Sequence, residues 1–109
     1  MKVIWDPAAK QAKQQIAEYI RKRFGIRRVK KFRQEVDQAA RALLSHPNLG
    51  SIDPLFADRA IAYRSIIINN LSKLVYRIEE DTIYIVAFWD CRREPTSQAA
   101  KTDITQYKQ

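Results

Sequence analysis

The sequence is poor in the residue types from which metal sites and disulfides are built. Its 109 residues include one cysteine, Cys91, and one histidine, His46. A single cysteine excludes an internal disulfide and a zinc site made of cysteines, and a single histidine leaves no histidine pair for a metal. We therefore expect neither a metal site nor any other cofactor.

Long apolar runs are also missing. The longest strictly apolar run has seven residues, from Ile83 to Trp89, whereas a membrane-spanning helix needs about 20. The apolar stretch at the N-terminus is too short for a signal peptide. The sequence thus predicts a cytoplasmic protein that has no membrane partner.

Glycine and proline are scarce as well, with two and four residues, while 46% of the chain is apolar. Such a composition differs from that of disordered or low-complexity chains and supplies enough apolar residues for a core. A chain of 109 residues has room for one domain. We assign this domain to residues 1–95 and a polar C-terminal tail to residues 96–109.

Acidic residues are too few to balance the basic ones, and the formal net charge is +8. Eight bases and no acid fall between residues 21 and 33. A cluster this dense repels itself unless it meets an anion, so we expect it to bind a nucleic acid or an acidic protein. The alternative is a solvated bend between two helices. The binding candidates in this cluster are Arg27, Arg28, Lys30 and Lys31.

The first half of the chain is predicted to be mainly helical, after a short strand over residues 2–5. Asp6 followed by Pro7 is typical of a helix start, because Asp caps free N–H groups and Pro has none to leave unpaired. Apolar residues at spacings of three and four predict one helix ending at Gly25 and a second ending at Ser45. The short connection makes these helices antiparallel neighbours.

β-Branched and aromatic residues dominate the last part of the domain and predict three strands. These strands run over about residues 61–68, 71–79 and 82–90. Residues 48–59 are predicted to be a loop that places a few apolar side chains on the core. Asn69-Asn70 and Glu80-Asp81 separate the strands as two-residue turns. The fold class is therefore α+β, with an N-terminal strand and a helical hairpin packed on an antiparallel sheet.

Counting outward from two-residue turns assigns every strand residue to one face of the sheet. One face is almost wholly apolar and is the predicted seat of the helical hairpin. The other face interleaves basic, aromatic and apolar side chains. Its polar and aromatic members include Arg64, Lys73, Arg77, Tyr84 and Phe88. Such an open face can hold a phosphate backbone and stack bases, whereas the plainer alternative is an ordinary solvent-facing surface.

The order of these elements resembles a known family. A strand, a helical hairpin, a loop over residues 44–50 and a meander follow one another as in the RelE/ParE superfamily of toxins from type II toxin–antitoxin systems. The family's most recognisable stretch is similar to residues 63–66, 73–78, 83–89 and 92–95. The resemblance covers about residues 1–95 and implies a toxin that is neutralised by a small acidic antitoxin.

The resemblance leaves two activities open. RelE-like members are ribosome-dependent endoribonucleases that cut mRNA in the A site, whereas ParE-like members inhibit DNA gyrase and are not nucleases. For the nuclease, the resemblance makes Arg64, Lys73 and Arg93 the candidate catalytic residues, which would hold and stabilise the scissile phosphate. The candidates on the sheet and after it for binding nucleic acid or a partner are Arg77, Tyr84, Phe88 and Arg92.

The end of the similar region decides our preference between these activities. RelE-like enzymes carry a Tyr or His acid shortly after the Arg pair, whereas residues 94–100 here are Glu-Pro-Thr-Ser-Gln-Ala-Ala. Arg92-Arg93-Glu94-Pro95 is closer to the Arg-Arg-Asp-Pro-like ending of ParE-like members. We therefore favour a gyrase-directed toxin. The alternatives are a ribosome-dependent endoribonuclease and a non-toxic, basic module that binds nucleic acid.

Overall fold

Two α-helices and five strands make up the part of the chain that the computed structural model describes, residues 1–91. The elements are β1 (Lys2–Trp5), α1 (Pro7–Phe24), α2 (Ile26–Ser45), β2 (Ser51–Ile52), a 3₁₀ turn (Pro54–Phe56), β3 (Arg64–Ile68), β4 (Ser72–Glu79) and β5 (Thr82–Asp90). The strand order is β1-β5-β4-β3-β2. The α+β class is confirmed, but β1 lies parallel to β5, so the sheet is mixed. The predicted boundary after residue 95 lies outside the described residues.

The helical hairpin begins and turns where the sequence predicts. Asp6 caps α1 by accepting a hydrogen bond from the Ala8 N–H to its Oδ1 at 3.0 Å, and Pro7 is the first helical residue. Gly25 alone separates the two helices and has a φ of 94°, which L side chains rarely adopt. A Cβ at Gly25 would meet nothing within 4 Å, so the backbone angle, not lack of space, favours glycine here.

The hairpin covers one face of the sheet. Its buried residues are Ala9 and Ala17 on α1, and Val29, Phe32, Val36 and Leu43 on α2. They pack on strand residues that include Leu74, Tyr76, Ile83 and Ile85, all fully buried. Fully burying a Leu or Ile side chain stabilises a fold by roughly 1.5–3 kcal/mol. Within residues 1–91, no helix has the length and apolar character needed to cross a lipid bilayer.

The β4–β5 hairpin follows the predicted pairing near its turn. Glu80-Asp81 is the predicted two-residue turn, in which Glu80 has a φ of 54°. Arg77 pairs with Tyr84, and Tyr76 pairs with Ile85, as the count from this turn requires.

A β-bulge changes the pairing further from this turn. The register shifts next to Val75, which pairs with Ala87 instead of the predicted Val86. Beyond the bulge, Phe88 pairs with Leu74 and joins the helix-covered core. The prediction that Phe88 lies on the open face is therefore wrong.

The β3–β4 turn has three residues, Asn69 to Leu71, instead of the predicted two. Ile68 pairs with Ser72 across it. The extra residue shifts the whole β3 register by one, so Arg64 pairs with Tyr76 and not with Val75. Because side chains alternate between faces, this shift moves Arg64 to the helix-covered side of the sheet.

The opposite face of the sheet is partly covered by the segment of residues 53–63. Phe56 stacks on Trp89, with their ring centroids 6.3 Å apart, and also contacts Tyr63 at 5.1 Å. These three aromatic residues form a second core cluster with Val75, Val86 and Ala87. The predicted loop therefore does place apolar side chains on the core, and the face predicted to be open is partly closed by it.

Candidate functional site

The basic strand residues predicted to share one face lie on two faces. Arg64 is on the helix-covered face, opposite Tyr76. Lys73 is on the other face, together with Arg77 and its cross-strand neighbour Tyr84. The predicted alignment of Arg64 with Lys73 and Arg77 is therefore wrong, and its cause is the third residue of the β3–β4 turn.

Lys73 is engaged in a buried ion pair. Its Nζ lies 2.7 Å from Oδ2 of Asp53, a residue that is 1% exposed. The other carboxylate oxygen of Asp53 accepts a hydrogen bond from the Leu55 N–H at 2.9 Å and so caps the 3₁₀ turn. The ammonium also lies 5.5 Å from the centroid of the Trp89 ring. Lys73 therefore fixes the covering segment to the sheet, and it could bind a phosphate only by leaving a carboxylate buried without its partner.

Arg77 and Tyr84 contact each other on the same face of the sheet as Lys73, as their predicted pairing implies. The guanidinium lies 4.4 Å from the centroid of the Tyr84 ring, and its Nε donates to Oε2 of Glu79 at 2.9 Å. Arg77 is only 6% exposed. Its binding role stays a prediction, since its charge is already shared between a carboxylate and a ring.

Arg64 belongs to a separate cluster, around Gly50 and Tyr76. Its Nη1 donates to the Gly50 carbonyl at 2.7 Å. The Tyr76 hydroxyl accepts from the Gly50 N–H at 2.9 Å and donates to the Pro47 carbonyl at 2.7 Å. The pKa of Tyr76 is raised by burial, against the smaller opposing effects of the Gly50 N–H and the Arg64 charge. The hydroxyl thus stays protonated at neutral pH and fastens the loop before β2 to the sheet.

This Gly50–Tyr76 cluster was not singled out from the sequence. The one signal for it was a glycine three residues after Pro47, which is compatible with a close approach of two backbones. No sequence pattern connects that loop to a tyrosine 26 residues further along.

Replacing Tyr76 with Phe is expected to lower the free energy of unfolding by about 2 kcal/mol, because a buried N–H and a carbonyl lose their partner. Urea denaturation measures this change. The matched control is Tyr19→Phe at a site that is 48% exposed, where we expect a change within about 0.5 kcal/mol. Equal effects of the two substitutions would contradict the assignment.

An open groove of about 550 Å³ lies between α2 and the β2–β3 edge of the sheet. It is lined by Ala39, Leu49, Gly50, Ser51, Ser65, Ile66, Ile67 and Ile68. Leu49 and Ile67 are each 54% exposed there. None of the lining side chains titrates near neutral pH, so the groove offers apolar contact and no general acid or base.

The remaining candidates are placed as follows. Arg27, Arg28, Lys30 and Lys31 are all exposed at the start of α2. Arg92 and Arg93 lie outside the described residues.

Within residues 1–91, no three His, Cys, Asp or Glu side chains are grouped closely enough to hold a metal ion. Burial and, to a smaller extent, Asp90 raise the pKa of Cys91, against the effect of Lys73.

The geometry of the described residues does not bring the candidate catalytic cations together. RNA cleavage by 2′-OH attack needs donors that converge on one phosphate, with a group that moves a proton. Arg64 and Lys73 lie on opposite faces of the sheet, and each already contacts an oxygen of the protein. These contacts stabilise loops on the sheet.

Comparisons with known proteins give a family and a similar fold. A family model described as ParE toxin of type II toxin–antitoxin system, parDE, matches residues 3–95. A solved structure described as the chromosomal ParDE TA system from P. aeruginosa is similar to this chain with a TM-score of 0.68 and 16% sequence identity, over 83% of this chain and 95% of that one. The search of curated proteins found no significant match. The chain belongs to the ParE toxin family and is a ParE-like toxin of a type II toxin–antitoxin system.

Proposed function

We propose that this toxin acts on DNA gyrase and does not cleave RNA. The observation that carries the proposal is the separation of Arg64 from Lys73, together with the ion pair that occupies Lys73. A nuclease that used these two residues would need both cations on the same phosphate. An inhibitor that binds a protein target needs only a stable surface.

We also propose that its antitoxin partner is acidic and that both proteins act in the cytoplasm. The support for an acidic partner is electrostatic, because the toxin has a net charge of +8. An acidic segment would meet a complementary potential, which speeds association and disfavours partners of the wrong charge.

Gyrase and RNA assays in parallel test the proposed target. We expect the purified full chain to inhibit supercoiling by gyrase and to leave RNA intact, because Arg64 and Lys73 lie on opposite faces of the sheet and do not converge on one phosphate. On induced expression, we expect double-strand DNA breaks and filamentation while mRNA at the ribosomal A site stays intact. Cells that carry the empty vector are the control. A-site cleavage with unimpaired gyrase would overturn the proposal and favour the endoribonuclease.

A further inference from the structure

The junction of α1 and α2 carries the densest charge of the described chain. We call residues 19–33 the hairpin tip. All eight of its basic residues are exposed: Arg21, Lys22, Arg23, Arg27, Arg28, Lys30, Lys31 and Arg33. Glu18, just before the tip, contacts Arg21 at 2.6 Å and Lys22 at 4.0 Å. Within residues 1–91, the other six have no carboxylate within ion-pair distance, so most of the tip's charge is unneutralised.

Large apolar side chains are exposed among these cations. Tyr19 is 48% exposed and Phe24 is 52% exposed, although the helical spacing of the sequence places Phe24 on the apolar stripe of α1. The Arg23 guanidinium lies 5.9 Å from the Tyr19 ring centroid, and that of Arg28 lies 5.1 Å from the Phe24 ring centroid. The tip thus combines exposed aromatic rings with cations that lie against them.

The cations of α2 also form a coherent strip. Arg27, Lys30 and Lys31 fall on one side of the helix at three- and four-residue spacing, and buried Val29 and Phe32 face the core. Their side chains can therefore contact one polyanion without disturbing the packing of the hairpin.

We propose that the hairpin tip binds single-stranded DNA, with phosphates on the strip of cations and unpaired bases on Tyr19 and Phe24. Duplex DNA would use the charges but not the rings, because its bases are already stacked on one another. Neither contact uses the 2′-hydroxyl by which proteins distinguish RNA, so DNA suffices as the ligand. An acidic peptide would also suit the charges, but it has no planar bases to stack on the rings. The inference does not depend on gyrase being the target.

Binding of the full chain to an oligo(dT) of about 20 nucleotides, followed by fluorescence anisotropy at several salt concentrations, tests the role of charge. The test variant is Arg27→Gln/Lys30→Gln/Lys31→Gln. We expect about tenfold weaker binding or more, and a salt slope reduced by about 2, since each phosphate contact on a single strand contributes about 0.7. The control Lys2→Gln/Lys10→Gln/Arg41→Gln loses the same charge at exposed sites outside the tip and should change affinity less than about threefold.

The double variant Tyr19→Leu/Phe24→Leu tests stacking, because it keeps apolar side chains but removes both rings. We expect about tenfold weaker binding with an unchanged salt slope. Thermal unfolding of every variant checks that the fold is retained. Equal losses for the two charge triples, or no effect of the ring substitutions, would overturn the proposal. It would also be overturned if oligo(dT) annealed to oligo(dA) bound as tightly as oligo(dT) alone, or if oligo(rU) of the same length bound about tenfold tighter.

Discussion

Replacing Lys73 with Met is expected to lower the free energy of unfolding by about 3–5 kcal/mol, since it leaves the Asp53 carboxylate buried without its counter-ion. Asp53 is 1% exposed, and the Lys73 ammonium lies 2.7 Å from its Oδ2. The loss should therefore exceed that of an ordinary surface lysine. Urea denaturation of the full chain measures it, with Lys10→Met on the exposed side of α1 as the control.

A second substitution at Asp53 should restore most of the lost stability. In Asp53→Ser/Lys73→Met both charges are removed, while the serine hydroxyl can still accept the hydrogen bond of the Leu55 N–H. Replacing both members of a buried ion pair is often close to neutral, whereas removing one is not. We expect the free energy of unfolding of the double variant to fall by clearly less than the sum of the losses in Asp53→Ser and Lys73→Met. Additive losses would contradict the structural role of the pair.

Gly50→Ala is expected to lower the free energy of unfolding by about 3 kcal/mol, because no space exists for a methyl group. A Cβ at this position would lie 2.7 Å from the Ser65 carbonyl oxygen and 2.9 Å from Cε1 of Tyr76. Neither neighbour can easily move: Ser65 is paired in the sheet on both sides, and the Tyr76 ring is fully buried and hydrogen-bonded. The cost is therefore steric.

The neighbouring substitution Ser51→Ala is the control for Gly50→Ala, since Ser51 is exposed on the edge strand β2. It should change stability by no more than about 0.5 kcal/mol in the same urea titration. If the two substitutions had similar effects, the close approach of the Gly50 loop to the sheet would be contradicted.

Features with a local cause could be predicted from the sequence. The start of α1 at Asp6-Pro7 and its end before Gly25 follow from capping and from backbone freedom, which involve only adjacent residues. The Glu80-Asp81 turn is equally local, and the pairs beside it are those that the sequence predicts. The pairing of β1 with β5 is not local, because about 77 residues separate the two strands in the chain. No pattern in β1 predicts which strand it pairs with.

Two errors of register came from segments whose pattern is ambiguous. The residues from Ile83 to Trp89 are all apolar, so alternation could not reveal the bulge that turns Phe88 toward the helices. Asn69-Asn70 fits a two-residue turn as well as a three-residue turn that includes Leu71. The longer turn buries the Ile68 side chain in the helix-covered core. This burial depends on tertiary packing, which the turn sequence does not show.

In the candidate site, too, the sequence predicts local features but not contacts between distant segments. Basic and aromatic residue types on strands were visible in the sequence, and Arg77 with Tyr84 did come together. The partner of Lys73 was not visible, because Asp53 lies in a loop 20 residues earlier and looks like an ordinary turn residue beside Pro54. Ion pairing, which restrains what a cation can contact, depends on the tertiary fold.

The most direct test of the account is to assay Asp53→Ser/Lys73→Met in cells and with purified gyrase, once its stability is known. We predict that this variant still arrests growth and still inhibits supercoiling, because the proposed function gives Lys73 the structural role of holding residues 53–63 on the sheet through Asp53. A folded variant that has lost its toxicity, alongside A-site mRNA cleavage by the unaltered protein, would contradict the account and return Lys73 to a catalytic role.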